Sequence, residues 1–233
     1  MSESVKRRRA YDSPRRREQA RATRRAVLEA ARALFIERGY VATTIDAIAA
    51  RASVAPETVY AVFGTKRALL AELVDVSIAG GDEAPPILEQ PWVQAMRDEP
   101  DRRRRLQILA SNGRSILERR AAVDEVVRSA AAADPEIATL WERGKAQRYA
   151  GQRAALEMVM GAAGPRDGID LETATDILYA IGSPETYRIL VVDRGWSGPR
   201  FELWYGETLA RLFLDPVTDH LHREPGPVGG ELR

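Results

Sequence analysis

The sequence has no cysteine, only two histidines and no long apolar run, and each absence closes off a class of chemistry. Without Cys there is no disulfide framework, no thiolate nucleophile and no Cys-ligated metal, a usage that fits a reducing compartment. Both histidines, His220 and His222, fall in a Pro/Gly-rich tail. A His-based catalyst or a zinc site therefore cannot be assembled in the body of the chain, and no cofactor is expected. The longest uninterrupted aliphatic run is Ile189 to Val192, far short of the roughly 20 residues of a membrane-spanning helix. The basic start, Lys6-Arg7-Arg8-Arg9, leads into a charged amphipathic stretch and not into an apolar signal core, so a cytoplasmic protein is expected. Carboxylates are plentiful, among them Asp134, Glu136, Glu157, Asp170 and Glu172, but helix starts and solvated faces account for them. With no His or Cys partner, no Gly-rich phosphate loop and no metal spacing, a helical enzyme with a basic N-terminal appendage is the alternative reading and not the favoured one.

What is present is a chain of 233 residues, 45% hydrophobic and 30% charged, enough to bury a core as one large or two small domains. The net charge of +1 hides an uneven distribution. Residues 1–70 hold 15 Lys/Arg against 7 Asp/Glu, net +8, whereas residues 71–233 are net −7. The first part therefore suits a polyanion and the second does not.

Apolar residues recur at helical spacing almost throughout, with hardly any period-two alternation, so the chain reads as all-α with about nine helices. The expected helices run over 15–38, 44–51, 56–63, 66–78, 102–119, 122–132, 135–160, 171–194 with a break at Gly182-Ser183-Pro184, and 199–214. Gly39 stands where the first helix should close, and Thr43 with Asp46 has the spacing of a capping box. Pro56 suits the first position of the third helix, and Asp134-Pro135-Glu136 forms a strong start for the seventh. The expected organisation is a disordered basic arm (1–14), a helix-turn-helix domain with a connecting helix (15–78), a linker (79–91), a helical effector-binding and dimerisation domain (92–216) and a flexible tail (217–233).

Residues 45–64 carry the most specific pattern: two short helices joined by Ala52-Ser53-Val54, with small Ala49 at the crossing and Val59 and Val62 on the side read as buried. In such a unit the second helix enters the major groove, whose width of about 12 Å admits one helix. Pro56, Glu57, Thr58 and Ala61 then face DNA. Thr58 can touch a thymine methyl or a base edge; Glu57 can accept from a cytosine amino group or can equally serve as a partner of the helix dipole. Thr43, Thr44, Tyr60 and Lys66 are candidates for phosphate contacts, which set register without conferring sequence preference. Phe63 reads as core. Arg16, Arg17 and Arg21, continuing the basic arm, are candidates to track phosphates or enter a minor groove.

The stretch Thr43-Thr-Ile-Asp-Ala-Ile-Ala-Ala-Arg-Ala-Ser-Val-Ala-Pro-Glu-Thr-Val-Tyr-Ala-Val-Phe-Gly-Thr-Lys-Arg-Ala-Leu-Leu resembles the TetR family of transcriptional regulators over about residues 20–73. The resemblance implies a homodimer, usually a repressor, whose N-terminal domains bind a palindromic double-stranded DNA operator and whose C-terminal helices hold a small-molecule effector. This sequence departs from the family pattern twice. Ser53 stands where Gly is usual, at a position that tends to need positive φ, and Ala55 stands where Ser or Thr would cap the third helix.

In the second half, Arg102-Arg-Arg-Arg is read as a solvated helix face. Asn112, Ile116, Trp141, Tyr149, Met158 and Tyr187 are candidates to line an effector pocket among the helices, and Met and aromatic side chains suit varied apolar ligands. Ile177, Ile181, Phe201, Trp204, Tyr205, Leu209 and Leu212 give the last two helices wide apolar faces and are the candidates for dimerisation. A regulator answering to a protein partner without a small ligand is the remaining alternative.

Overall fold

The computed structural model describes residues 14–215, and among them every regular element is helical. The chain forms α1 (Pro14–Ala42), α2 (Ile45–Arg51), α3 (Pro56–Phe63), α4 (Lys66–Ala79), α5 (Pro91–Asp98), α6 (Arg102–Ala131), α7 (Pro135–Met160), α8 (Leu171–Ile181), the single turn α9 (Pro184–Tyr187) and α10 (Gly198–Phe213). The expected arm up to residue 13 and the tail 217–233, with His220 and His222, lie outside the described residues.

Helix starts are set locally. The hydroxyls of Thr44 and Thr65 accept from the backbone N–H of Ala47 and Ala68 at 3.1 and 3.0 Å, and Asp134 accepts from Glu136 and Ile137. Ala55 offers no side-chain cap to α3, which instead opens on Pro56. The cap of α2 is thus Thr44 and not Thr43, whose side chain turns inward. Gly39 adopts φ 78° and breaks α1 where the sequence suggested an end, although one more turn follows to Ala42.

In the turn between α2 and α3, Ser53 has φ 56°, the one left-handed non-glycine among the described residues. That conformation costs an L-residue roughly 1–2 kcal/mol, and glycine's larger unfolded-state entropy offsets about half of the relief. Ser53→Gly is therefore expected to leave the melting temperature unchanged or raise it by a few degrees. A clear fall in a thermal melt would contradict the strained turn.

Helix α6 organises the rest. At roughly 1.5 Å per residue its 30 residues span about 45 Å, and it lies against α1, α4, α5, α7, α9 and α10. Two apolar cores meet along it. In the first, Val27, Leu34 and Phe35 of α1 and Leu69, Leu70 and Val74 of α4 pack with Val123, Val126 and Val127 of α6 and with Ile137 at the start of α7. In the second, Leu106, Leu109 and Ala110 of α6 pack with Leu156 and Val159 of α7, Leu178 of α8 and Phe201, Leu209 and Phe213 of α10.

Two expectations change and a third gains detail. The separate helices expected at 102–119 and 122–132 are one. Arg120, in the expected gap, donates from Nε to both oxygens of Asp124 one turn later, at 2.8 and 2.7 Å, and both residues are buried. A short α5 occupies Pro91–Asp98, where no helix was expected, and buries Val93 and Met96. The helix expected over 171–194 does break at Gly182-Ser183-Pro184, and beyond α9 the chain passes through a π-helical stretch, Arg188–Asp193. Among the described residues nine α-helices are longer than a single turn, as expected.

The Arg102–Arg105 run is not a solvated face. Arg102 donates to the Gly164 carbonyl at 2.8 Å, and Arg105 donates to the carbonyls of Glu99 and Met158 at 2.5 and 3.2 Å. The run clamps the loop after α7 onto the start of α6.

Candidate nucleic-acid interface and effector cavity

Val59 and Phe63 anchor α3 in the first core, so the opposite face is turned outward: Glu57, Tyr60 and Ala61 are exposed, with Pro56 and Thr58 half-buried at its edges. Tyr60 is 54% exposed, which removes it from the core. Val62, read as buried, is 40% exposed, because the core-facing stripe of so short a helix is only as wide as Val59 and Phe63. Thr44 is exposed at the start of α2, and while its oxygen caps the helix its hydroxyl hydrogen remains able to reach a phosphate.

Two of the expected DNA contacts are used inside the domain. Thr43 is fully buried, and its hydroxyl lies 3.1 and 2.8 Å from the carbonyls of Leu34 and Gly39, to which it donates, tying α1 to the start of α2. Lys66 donates from Nζ to the carbonyls of Tyr40 and Thr43 at 2.9 and 2.8 Å and stands over the Tyr40 ring at 4.3 Å. It serves the unsatisfied carbonyls at the end of α1, and burial lowers its pKa. Arg16 and Arg17 lie exposed at the start of α1. Arg21 pairs with Glu83 at 3.1 Å, and a phosphate contact from it would require that exposed pair to open. Arg24 holds Asp82 at 2.6 Å, pairs with Glu72 and stacks 5.0 Å over Phe63, latching α1 to α4.

In the second half, α5, α6, α7, α8 and α10 surround a cavity of about 320 Å³, within the range of ligand sites. Of the expected lining residues it contains Asn112 and Ile116. The other four lie elsewhere. Trp141 packs against the first core, the Tyr149 hydroxyl donates to Asp176, Met158 packs into the second core and Tyr187 stacks edge-on against Phe201, buried away from the cavity. Residues that sequence reasoning passed over complete the wall: Trp92, Gln147, Arg148 and Gln152, together with Tyr205, which was assigned to dimerisation. A usable signal existed in α7, where Gln147, Gly151 and Ala155, and likewise Arg148 and Gln152, recur every four residues on one face as small or polar groups.

The expected dimer residues divide. Phe201, Tyr205 and Leu209 are buried within the protomer against α6, so they cannot form a surface. Ile177, Ile181, Trp204 and Leu212 remain half-exposed, and beside them Leu203, Val192 and Ile189 are 67%, 66% and 50% exposed. Among the described residues no group of three or more metal-ligating side chains comes together, and no helix is long and apolar enough to cross a membrane.

Residues 27–73 match the family model of bacterial regulatory proteins, tetR family. No curated protein sequence matches the chain. Among solved structures the fold is similar to FadR from Bacillus subtilis in complex with stearoyl-CoA, at 18% identity over 79% of this chain and 96% of that one, with a TM-score of 0.63. It is similar to NalD, the secondary repressor of the MexAB-OprM multidrug efflux pump in Pseudomonas aeruginosa, at 21% identity over 84% and 97%, TM-score 0.61. A protein from Saccharomonospora viridis in complex with choline is similar at 20% identity over 83% and 98%, TM-score 0.62. At such identities the likeness is one of fold.

Proposed function

We propose that this chain, with its TetR-family DNA-binding domain, is a cytoplasmic transcriptional regulator, most simply a repressor, that grips a palindromic operator as a homodimer and is released by a small molecule. The observation that carries the reading is the outward face of α3, Glu57, Thr58, Tyr60 and Ala61, held on a helix-turn-helix whose other side is locked into a core. Thr58 and Glu57 read base edges, while Thr44, Tyr60, Arg16 and Arg17 hold phosphates. Thr43 and Lys66 keep the unit in shape and leave the list of contacts.

The dimer uses the exposed apolar strip of Ile189, Val192 and Leu203, with Ile177, Ile181, Trp204 and Leu212 beside it. The effector occupies the cavity beside α6. Similar structures hold stearoyl-CoA and choline, ligands of opposite charge, so neither transfers to this chain by analogy. Because α6 belongs to both cores, a shift at the cavity reaches α1 and α4, and a coupling of roughly 1–3 kcal/mol changes operator affinity five- to 150-fold. The cavity offers walls and no reacting pair of acid and base, so binding and not catalysis is its role.

Selection of bound duplexes from a random DNA library tests the reading. The expected product is a palindrome with half-sites one helical turn apart, about 34–36 Å. Thr58→Ala should then relax preference at one base position by about 1–3 kcal/mol, whereas Tyr60→Phe should weaken all sequences alike. Binding that depends on salt but not on sequence, with or without small molecules present, would overturn it.

A further inference from the structure

The cavity wall carries a specific set of polar groups. Arg148 enters from α7, donates from Nη1 to the Tyr179 carbonyl at 3.3 Å and stacks 3.7 Å over the Tyr179 ring. Among the described residues no carboxylate pairs with it. Arg120, the other cation on the wall, is neutralised by Asp124, and no Asp or Glu lines the cavity. The cavity is therefore mostly apolar and carries one net positive charge, since the single carboxylate near it, Asp124, feels both arginines and balances only one of them.

Two further polar residues belong to the same wall. Gln152, one turn beyond Arg148, donates from Nε2 to the Gly182 carbonyl at 3.2 Å. That bond fixes the orientation of its amide and leaves Oε1 buried with no partner, an acceptor that calls for an O–H or N–H. Tyr205 is 3% exposed and lines the cavity beside Gly182, and its hydroxyl has no hydrogen-bond partner among the described residues. Burial pushes its phenol well above the ordinary value, so it stays protonated and able to donate, and Arg148 lies near enough to act against that shift. A cation would enter against Arg148, and a purely apolar molecule would leave the Arg148 charge without an anion and Gln152 Oε1 and the Tyr205 hydroxyl without partners.

We propose that the cavity binds a compact amphipathic monoanion, a carboxylate on a short apolar body, with its acid group on Arg148 and an adjacent hydroxyl between Gln152 Oε1 and the Tyr205 hydroxyl. The inference rests on the effector-cavity reading above and narrows it to one ligand class. The volume of about 320 Å³ sits at the small end of the roughly 300–1,000 Å³ of ligand sites and sets the size of that body.

Calorimetric titration of the full-length protein with four probes of one chain length provides the test: 3-hydroxydecanoate, decanoate, decanamide and decyltrimethylammonium. Decanoate should bind about tenfold or more tightly than decanamide, 3-hydroxydecanoate about fivefold more tightly than decanoate, and the ammonium most weakly. Arg148→Gln should erase the difference between acid and amide, while Arg153→Gln, an exposed neighbour paired with Glu157, should preserve it. The acid–amide comparison on the unsubstituted protein decides even if Arg148→Gln fails to fold. An amide bound as tightly as the acid, a preferred ammonium, or an acid preference that survives Arg148→Gln overturns the anion site and leaves the effector cavity standing. No binding by any of the four overturns both.

Discussion

Replacing Arg120 by Met is expected to lower the melting temperature by about 6–20 °C near pH 7.5 and by far less near pH 5. Removing one partner of a buried ion pair costs about 3–5 kcal/mol, and a chain of this length loses about 2–4 °C for each of them. Asp124 is 4% exposed, and burial already pushes its carboxyl above the ordinary carboxylate range, opposed first by the charge and hydrogen bonds of Arg120 and then by the charge of Arg148. Glu185 acts in the same direction as burial. Without Arg120 the folded-state pKa rises further. Between the ordinary carboxylate value and that raised one, the folded chain holds a proton that the unfolded chain has released, so stability falls as pH rises through the window. Thermal melts across pH check the sign. Arg120→Met with Asp124→Leu should recover most of the loss, because neither charge is then buried, whereas a loss independent of pH would trace the effect to packing alone.

The second large effect is expected at Gly182, and it is steric. A Cβ on Gly182 would meet the Tyr205 hydroxyl oxygen at 2.2 Å and both the Tyr205 Cζ and the Leu178 carbonyl oxygen at 3.0 Å. The tyrosine cannot simply retreat, because its Cε1 already stands 3.1 Å from where a Cβ on Gly113 would be. The φ of Gly182, −87°, suits any residue, so no backbone strain adds to the clash. Gly182→Ala should cost about 1–3 kcal/mol as overpacking. Tyr205→Phe alone should cost little, since the hydroxyl has no partner within the protein. In a double-mutant cycle by chemical denaturation, the pair should be more stable than the two separate losses predict, because the phenylalanine removes the nearest clashing atom. Additive losses would mean that the ring has moved clear of Gly182.

What could be read beforehand follows the range of the forces involved. The turn at Ser53, the start of α3 at Pro56 and the cap at Asp134 depend on residues within a few positions of one another, and they appear where the sequence put them. Helix periodicity showed that Phe201, Tyr205 and Leu209 share an apolar face, but it cannot say whether that face meets the same chain or another. In the fold it meets α6. The gap expected at 120–121 failed for the same reason, since Arg120 has its partner Asp124 near in sequence but the burial that makes the pair matter comes from elements far away. Lys66 and Thr43 looked available because their acceptors are backbone carbonyls around the break in α1 and the start of α2, a juxtaposition visible only in three dimensions. The cavity was hardest to foresee, because Arg148 and Gln152 have the character of surface residues and become notable only when their surroundings deny them partners.

The position of α6 also limits how such chains can recombine. A cut at the Gly80-Gly81 linker looks like a natural seam, yet Leu69, Leu70 and Val74 would be left without Val123, Val126, Val127 and Ile137 to cover them. An N-terminal unit exchanged at that seam arrives with an open core and must find a foreign α6 that fits it. The unit that folds as one is thus α1 to α4 together with residues 123–137 of the other half, so single substitutions on the exposed face of α3 disturb the fold less than an exchange of everything before the linker.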